Sequence, residues 1–399
     1  MTIKKLKYKS LPGHGLMNKA AYNSRLEYFK SLSDNSEYLT SSKLTLDDVR
    51  NNIESFIGAV EHPLAIAGPL LFKTEKETME WLYSGICTSE GALVASINRG
   101  AKAISESGGF TAHFVHQKML RTPIFTFQNM ESALEFENWV ETNFSQIKKT
   151  AEKYSKHAEL LEIKTVVTGK FVHLRFIYST GDASGQNMVT HCTWNTSLWI
   201  EKQFYAEKNI KIEYFHIDGG GGCDKKVSFY NILNGRGISV TGECLLSHEV
   251  IDKTLRTTAN DMYKFYRNSN AIDRIDGVVG NTTNIANVIA GIFAATGQDL
   301  ASIHESSVGI IELEKISDGL YFSLSIPSLV IGTVGGGTQL PGPKKVLDFM
   351  KCSGKGRLEH FAKLIVGFAM ALEASTCAAI ASGQFARAHE KYGKNKPKF

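Results

Sequence analysis

Four groups of polar residues stand where the surrounding sequence suits them to chemistry. Glu90 precedes an apolar helical segment, where a carboxylate either favours the helix dipole or acts as an acid. Asp224-Lys225-Lys226 follows a glycine run, and its lysines either neutralise an anion or belong to a solvated turn. Asp299 follows another apolar helical segment, where its charge opposes the dipole and needs a partner. His389 ends the last long helical segment, a common structural position for histidine. Proton transfer and oxyanion stabilisation require such acids and cations, although each residue alone has a structural explanation.

The composition is that of an ordinary globular chain. Its 399 residues are 43% hydrophobic and 21% charged, which excludes wholesale disorder and suggests two or three domains. The net charge of +5 comes from interleaved residues and a basic tail at 391–398, so no nucleic-acid partner is expected. The six cysteines lack CxxC spacing, which argues against a metal site and for reduced thiols in the cytoplasm. No signal or membrane segment is predicted, so a soluble cytoplasmic protein is expected.

Periodicity predicts the elements that must position these residues. Strand alternation over 172–178, a glycine-containing turn at 181–187 and a helix over 188–208 form a layout that can hold a phosphate. Because the turn does not read GxGxxG, an ordinary loop is the alternative. Other helices are predicted over 22–31, 131–156, 285–296 and 361–382, with one more capped by Thr88-Ser89-Glu90 and running to about Ile104; strands are predicted over 227–242 and 319–332.

The order and spacing of many segments resemble the 3-hydroxy-3-methylglutaryl-CoA (HMG-CoA) reductase family. The segments cover most of residues 56–390, and the long C-terminal stretch resembles the class I branch, without the membrane anchor of its eukaryotic members. They are Phe56–Leu70 (FIGAVEHPLAIAGPL), Thr88–Ile104 (TSEGALVASINRGAKAI), Gly181–Met188 (GDASGQNM), Asp224–Lys226, Asn231–Val240 (NILNGRGISV), Gly297–Asp299 (GQD), Ile326–Leu340 (IPSLVIGTVGGGTQL) and Glu373–His389.

The resemblance implies a mixed α/β (α+β) fold. An N-terminal helical region at 1–55 would precede a large substrate- and CoA-binding domain formed by 56–122 and 214–399 around a long central helix. A small ferredoxin-like domain at 123–213 would be inserted in it and bind the dinucleotide. Because the active site of this family lies between subunits, a homodimer or higher homo-oligomer is expected.

The resemblance also implies a reaction. The family reduces a CoA thioester to an alcohol with two NAD(P)H, through a hemithioacetal and an aldehyde, and HMG-CoA yields mevalonate. Lys225 would stabilise the oxyanion, and Glu90 would donate a proton while its buried surroundings keep it protonated. Asp299 would lie between these two residues and tune their protonation. His389 would protonate the departing CoA thiolate.

Further residues match the binding positions of the family. Ser155 and Lys156 fall near the expected 2′-phosphate; lysine keeps the charge of the usual arginine there, so NADPH is expected, with NADH as the alternative. Arg121, Asp224 and Lys226 would hold the acid end of the acyl group, with Asn287 in the active site; Ser96, Asn98, Arg99 and Ser375 would contact CoA; Asp182, Ser184, Gly185, Gln186, Asn187, Gly335 and Gly336 would line the dinucleotide site. No metal is expected.

Several lining residues depart from the family pattern. Asp218 and Gly220 replace a serine and an asparagine near the HMG carboxylate, and a carboxylate there costs affinity unless it is neutralised. Arg267 stands where lysine is common, and the polar segment 271–276 replaces small residues. Ser184 and Gln186 are polar where methionine packs, and Asn284 and Gln384 stand where histidine is frequent. HMG-CoA is therefore the reference substrate, and a different acyl thioester is the first alternative. The second alternative, a non-catalytic CoA- or nucleotide-binding homolog, conflicts with the retained catalytic set.

Overall fold

The computed structural model of the chain describes residues 10–32 and 41–386, in which helices surround a mixed sheet. The expected α/β class is confirmed, whereas His389 and the basic tail at 391–398 lie outside the described residues. The strands are β1 (Leu64–Lys73), β2 (Met79–Cys87), β3 (Phe110–Arg121), β4 (Ile124–Thr126), β5 (Glu159–Thr168), β6 (Phe171–Ser179), β7 (Tyr214–His216), β8 (Gly237–Ser247), β9 (Ile310–Ile316) and β10 (Gly319–Leu329). The α-helices are α1 (Lys19–Leu32), α2 (Leu46–Val49), α3 (Leu93–Glu106), α4 (Met130–Thr142), α5 (Phe144–Ala151), α6 (Gln186–Lys208), α7 (Phe229–Asn234), α8 (His248–Val250), α9 (Ala259–Asp276), α10 (Ile285–Thr296), α11 (Ile303–Ser306), α12 (Pro341–Phe349) and α13 (Leu358–Ala381).

Strand β3 connects the two parts of the sheet. Its first part, 110–118, pairs antiparallel with β8, while residues 119–121 pair antiparallel with β6. The full order is β7-β4-β6-β3-β8-β10-β9, with the β1–β2 hairpin beside β3 and with β5 beside β6. The chain that leaves β3 at Arg121 therefore stands where the two parts of the sheet meet.

Two separate apolar clusters lie on this sheet. The smaller cluster draws on residues between Met119 and Ile212 and on Val330, and it is rich in aromatic side chains such as Phe136 and Phe204, whose ring centroids are 5.0 Å apart. The larger cluster is built around α13, whose side chains are buried along nearly its whole length. The smaller cluster therefore packs on the part of the sheet that contains β4–β6, and the larger one on the part that contains β8–β10.

Helix α13 is long and apolar because it runs through the larger core. It is the one helix in the described part of the chain that is long and apolar enough to cross a membrane, with a mean hydropathy of 1.9. Within the protein, 89% of that segment is buried, as expected for the central helix of a core. Helix α3 packs directly against it, and Gly100 allows the close approach, because a Cβ there would lie 1.7 Å from the carbonyl oxygen of Ala371.

The structure differs from the prediction in three elements. The helix predicted over 131–156 is divided at Asn143, which closes α4 through its side-chain bond to the Trp139 carbonyl and then begins α5. The strand predicted over 227–242 begins with helix α7, because the Ser228 hydroxyl accepts a hydrogen bond from the Asn231 amide and caps it. The polar helix α9 was missed, since it has few apolar residues to reveal its period.

The cap predicted for the helix after Glu90 is also wrong. Helix α3 begins at Leu93, and its N-cap is Ala92, which has a φ of +73° and no side-chain cap. The Thr88 hydroxyl accepts a hydrogen bond from the Glu90 amide instead, at 3.0 Å. Glu90 therefore belongs to a turn ahead of the helix.

We expect Gly100→Ala to destabilise the protein, because the added methyl group must push α3 away from the α13 backbone. Overpacking of this kind costs about 1–3 kcal/mol or more in the free energy of unfolding. Gly342→Ala in α12 is the matched control, since a Cβ there has nothing within 4 Å, and it should leave stability unchanged or slightly raised. Urea unfolding curves measure both, and equal midpoints for the two variants would contradict the expectation.

Candidate functional site

The loop that follows β7 carries Lys225 in an unusual backbone conformation. Cys223 and Lys225 have φ values of 53° and 54°, in the left-handed region that non-glycine residues seldom adopt. The Lys225 amide donates a hydrogen bond to Glu305 Oε1 at 3.2 Å, which fixes this part of the loop. The Lys225 side chain remains 44% exposed. The backbone of this residue is therefore fixed, while the end of its side chain is accessible.

Lys225 and Asp299 form an ion pair. The distance from Lys225 Nζ to Asp299 Oδ2 is 3.1 Å, which confirms the expectation that this carboxylate has a partner. Asp299 Oδ2 also accepts from Gln186 Nε2 at 3.0 Å, and Oδ1 accepts from the Ala301 amide at 3.1 Å. Burial alone would raise the pKa of Asp299, but the hydrogen bonds from Lys225 and Gln186 and the lysine charge outweigh it and lower the pKa.

A buried ion pair lies beneath this loop, and sequence reasoning missed it. Arg236 and Glu305 are both fully buried, and Arg236 Nη1 donates to Glu305 Oε1 at 2.5 Å. The second edge of Arg236 donates to Asp224 Oδ1 and, at 3.3 Å, to Gln186 Oε1. Burial raises the pKa of Glu305, and the Arg236 charge offsets part of that rise. In the sequence, the position of Arg236 between two glycines was only a weak indication of a role in the site, and nothing in the sequence marked Glu305.

Arg121 meets two carboxylates at the end of β3. Its Nη1 lies 3.3 Å from Asp218 Oδ2, and its Nη2 lies 3.7 Å from Asp224 Oδ2. Asp224 thus bridges Arg121 and Arg236. Lys226 is exposed, and its ammonium group has no partner among residues 10–32 and 41–386.

A second set of predicted residues lines a cavity of about 720 Å³, which neither Lys225 nor Asp299 lines. The Ser96 and Ser375 hydroxyls are 2.8 Å apart, and Arg99 Nε donates to Ser375 Oγ at 2.9 Å. Burial and the nearby Arg256 charge lower the pKa of Arg99. Arg256 lines the same cavity, was not predicted, and pairs with no carboxylate in the part of the chain that the structure describes.

Asn98 and Arg267 are two further residues that were predicted to bind CoA or the substrate. The side-chain oxygen of Asn98 accepts the Gly68 amide at 2.8 Å, and Arg267 is exposed on α9 without a bond to another described residue.

Glu90 lines the cavity of the second set and contacts Asn287. Asn287 Nδ2 donates to Glu90 Oε2 at 3.1 Å. The Glu90 side chain is exposed, so the buried environment expected for it is absent from the single chain. Among the described residues, Glu90 bonds to neither Lys225 nor Asp299, and the expected position of Asp299 between them is not found in one chain.

A second cavity, of about 710 Å³, brings Ser155 and Lys156 next to the turn that contains Asp182. The Asp182 carboxylate accepts the Gly356 and Leu358 amides at 2.9 and 3.3 Å, so it holds the start of α13. Within the turn, Ser184 and Gly185 lead into α6, Gln186 turns toward Asp299, and Asn187 is exposed. Gly335 and Gly336 are exposed and follow Val334, which lines the cavity.

Sequence comparison identifies relatives along most of the chain. The profile of the family described as hydroxymethylglutaryl-coenzyme A reductase matches residues 21–394. The 3-hydroxy-3-methylglutaryl-coenzyme A reductase of Methanocaldococcus jannaschii is 38% identical over 348 residues, covering 87% of this chain and 85% of that protein. The protein of the same name from Aeropyrum pernix is 35% identical over 397 residues, covering 95% of this chain and 91% of that protein.

A solved structure has the same fold. It is the class II 3-hydroxy-3-methylglutaryl-CoA reductase of Streptococcus pneumoniae bound to NADPH in open conformations, with a TM-score of 0.67 and 16% identity. The match covers 90% of this chain and 97% of that one.

We expect Gln186→Leu to raise the pKa of Asp299, because the variant loses one of the hydrogen bonds that lower it. A lowered carboxyl pKa stabilises the fold above its unfolded value and loses that contribution as pH falls through the folded pKa. The variant should therefore lose the Lys225–Asp299 pair at higher pH than the native chain does. Titration of ¹³C-labelled aspartate, with Asp299→Asn for assignment, measures the shift. Asn187→Leu is the neighbouring control, and a pKa unchanged by Gln186→Leu would contradict the role.

Proposed function

The chain belongs to the hydroxymethylglutaryl-coenzyme A reductase family, and from this premise we propose that it reduces an acyl-CoA thioester to an alcohol and free CoA with NADPH. The reference reaction is the conversion of HMG-CoA to mevalonate. The observation that carries the proposal is the Lys225–Asp299 pair at 3.1 Å, with an ammonium group that is anchored yet open to a ligand. A cation fixed in this way can stabilise the negative charge that develops on a thioester carbonyl oxygen.

The role of Asp299 is to hold the Lys225 side chain in place. Because Asp299 has a lowered pKa, it stays ionised at neutral pH and can attract the Lys225 ammonium group. Protonation of the developing alcohol and of the departing thiolate requires acids, which we assign to Glu90 and His389. Asn287 orients the Glu90 carboxyl through its 3.1 Å hydrogen bond.

The cavity beside α3 suits the anionic part of CoA. Arg99 and Arg256 give it two cations, and the lowered pKa of Arg99 reflects both burial and their mutual repulsion. A phosphate placed between two such guanidinium groups relieves that repulsion and gains charge-assisted hydrogen bonds. Ser96 and Ser375 fix the inner edge of Arg99.

The cavity beside α6 suits a dinucleotide. It is lined by Lys156 and Lys355, whose ammonium groups have no partner in the described ranges, and a 2′-phosphate would provide one, which favours NADPH over NADH. The Gly185 backbone, with a φ of +79°, lets the chain turn sharply into α6, where free N–H groups attract phosphate. Two NADPH molecules, bound one after the other, would each supply one of the two hydrides that the reduction consumes.

The arrangement of the site residues favours an oligomer. Glu90 opens into one cavity of the chain, while Lys225 and Asp299 lie outside it. We therefore propose a homodimer or higher homo-oligomer in which two subunits complete one site. The proposed domains are the N-terminal region 1–55, a large domain of 56–122 and 214–399, and an inserted ferredoxin-like domain at 123–213, and the proposed location is the cytoplasm.

One observation favours a second substrate class. Arg121, proposed to hold the acid end of the acyl group, is already paired with Asp218. An acyl group without a distal carboxylate is therefore the second candidate. The direct test follows NADPH and NADH absorbance with HMG-CoA and a small panel of other acyl-CoA thioesters.

We expect Lys225→Met to lower kcat by at least about 10²–10³-fold, the usual loss when one oxyanion-stabilising group is removed. Methionine keeps the length of the side chain and removes its charge. Lys345→Met, an exposed change on α12, is the control and should retain activity. Steady-state NADPH oxidation measures both variants, and undiminished turnover by Lys225→Met would remove the assignment.

We expect Arg256→Ala to raise KM for the CoA thioester by about tenfold or more, because a charge-assisted hydrogen bond to phosphate is lost. The free aldehyde intermediate does not carry the CoA phosphates, so its reduction should change much less. Lys264→Ala on α9 is the charge-removal control. Equal effects on thioester and aldehyde would show that Arg256 acts through the fold and not on CoA.

A further inference from the structure

We propose that Asp218 is a specificity-determining residue whose carboxylate occupies Arg121 from within the chain. The site would then prefer acyl-CoA thioesters whose acyl chain ends in an uncharged group. This inference rests on the proposed function, since it concerns the acyl end of the same site.

Arg121 has few hydrogen-bond donors that remain available to a ligand. Its side chain is only 12% exposed, and its two terminal nitrogens face Asp218 and Asp224 at 3.3 and 3.7 Å. Its Nε is buried and has no hydrogen-bond partner among the described residues. Both outer edges of the guanidinium are therefore engaged by carboxylates of this chain.

The loop geometry holds Asp218 in this position. The Gly219 amide donates to the Thr122 carbonyl at 2.7 Å, directly after Arg121 in the chain. A Cβ at Gly219 would lie 2.4 Å from Cβ of Ile124, so the loop runs tightly along the strand connection. The Gly220 amide donates to Asp218 Oδ1 at 3.2 Å, while Oδ2 faces Arg121. The two carboxylate oxygens thus have separate partners, which orients the group although it is 55% exposed.

The cations around Arg121 already have at least as many carboxylate partners as there are cations. The linked ion pairs join three cations to four carboxylates: Arg121, Arg236 and Lys225 to Asp218, Asp224, Asp299 and Glu305. Burial raises the pKa of Glu305, and even its neutral form leaves one carboxylate for each cation. A substrate carboxylate would add a negative charge with no cation of the network left to neutralise it. Beside Asp218 it would be repelled, at a cost of roughly tenfold or more in affinity.

Lys226 is the rival partner for a substrate carboxylate. It is exposed and has no partner in the described part of the chain. If Lys226 received the carboxylate, the charge on Asp218 would matter little and Arg121 would not be needed. The two explanations therefore predict different behaviour when Asp218 and Arg121 are changed together.

The experiment compares two thioesters that differ at one end. HMG-CoA carries the distal carboxylate, and 3-hydroxy-3-methylbutyryl-CoA has a hydrogen atom in its place. For the native enzyme we expect kcat/KM to be higher with the neutral thioester. Asp218→Ser and the isosteric Asp218→Asn should raise kcat/KM for HMG-CoA by about tenfold or more, mainly through KM, and change the neutral thioester by less than about threefold.

A double variant tests whether the gain in kcat/KM for HMG-CoA depends on Arg121. Arg121→Met should cancel the gain in the Asp218→Ser background, because the guanidinium group that Asp218→Ser frees is then absent. In the native background Arg121→Met removes a cation beside two carboxylates, so it should give no gain with HMG-CoA. A gain that survives in Arg121→Met/Asp218→Ser would overturn the proposal in favour of another cation such as Lys226. Asp318→Ser, an exposed change in the β9–β10 turn, controls for the loss of a surface charge.

Binding measurements test this inference independently of the proposed function. Calorimetric Kd values for both thioesters, measured without NADPH, report on the acyl site whether or not turnover occurs. If no thioester is reduced, the proposed function fails, while the Kd ratio between native enzyme and Asp218→Asn still decides the role of Asp218. Native enzyme that binds both thioesters equally, with a ratio unchanged in both Asp218 variants, would overturn the inference.

Discussion

The buried ion pair between Arg236 and Glu305 is the interaction on which the site depends. Both side chains are fully buried, so removing either one would leave an uncompensated charge at a cost of about 3–5 kcal/mol. The pair also fixes its surroundings, because Glu305 accepts the Lys225 amide while Arg236 holds Asp224 and Gln186. Three segments that are distant in sequence therefore meet at one guanidinium group. The position of Lys225, the proposed oxyanion-stabilising residue, is a consequence of charge pairing in the core.

This anchoring explains how an exposed lysine can be kept in a strained conformation. The left-handed backbone at Lys225 costs about 1–2 kcal/mol, and it persists only when neighbouring contacts determine it. The Glu305 bond supplies such a contact below, and Asp299 supplies one at the ammonium group. A charge held before the substrate arrives needs no reorganisation as the reaction proceeds, which is the condition for strong electrostatic stabilisation. Gln186 extends the same support to the first turn of α6, so the start of that helix and the Lys225–Asp299 pair share one hydrogen-bond network.

The parts of the fold that could be predicted from sequence are those with a strong apolar period. Helix α10 was predicted with its observed bounds, and α13 within three residues, because α10 is an apolar segment closed by a glycine and α13 is buried along nearly its whole length. The polar helix α9 and the divided helices α4 and α5 lacked that signal, since caps and tertiary contacts define them. Among the site residues, the partner of Asp299 could be expected from the dipole argument. The Arg236–Glu305 pair could not, because it joins residues 69 positions apart that carry no local pattern. The exposure of Glu90 was also missed, since a turn precedes the helix that it was expected to begin.

The same network links Arg121, the proposed contact of the acyl group, to the loop that carries Lys225. Asp224 lies between Arg121 and Arg236, so it shares its negative charge between a mostly buried arginine and a fully buried one. A change of charge at Arg121 therefore changes the electrostatic attraction that acts on Asp224. Through Arg236 it also affects the contacts that hold the Lys225 loop. An additional carboxylate at Asp218 satisfies Arg121 without drawing Asp224 away from Arg236. Arg121 therefore has a carboxylate partner of its own, and Asp224 remains paired with the buried Arg236.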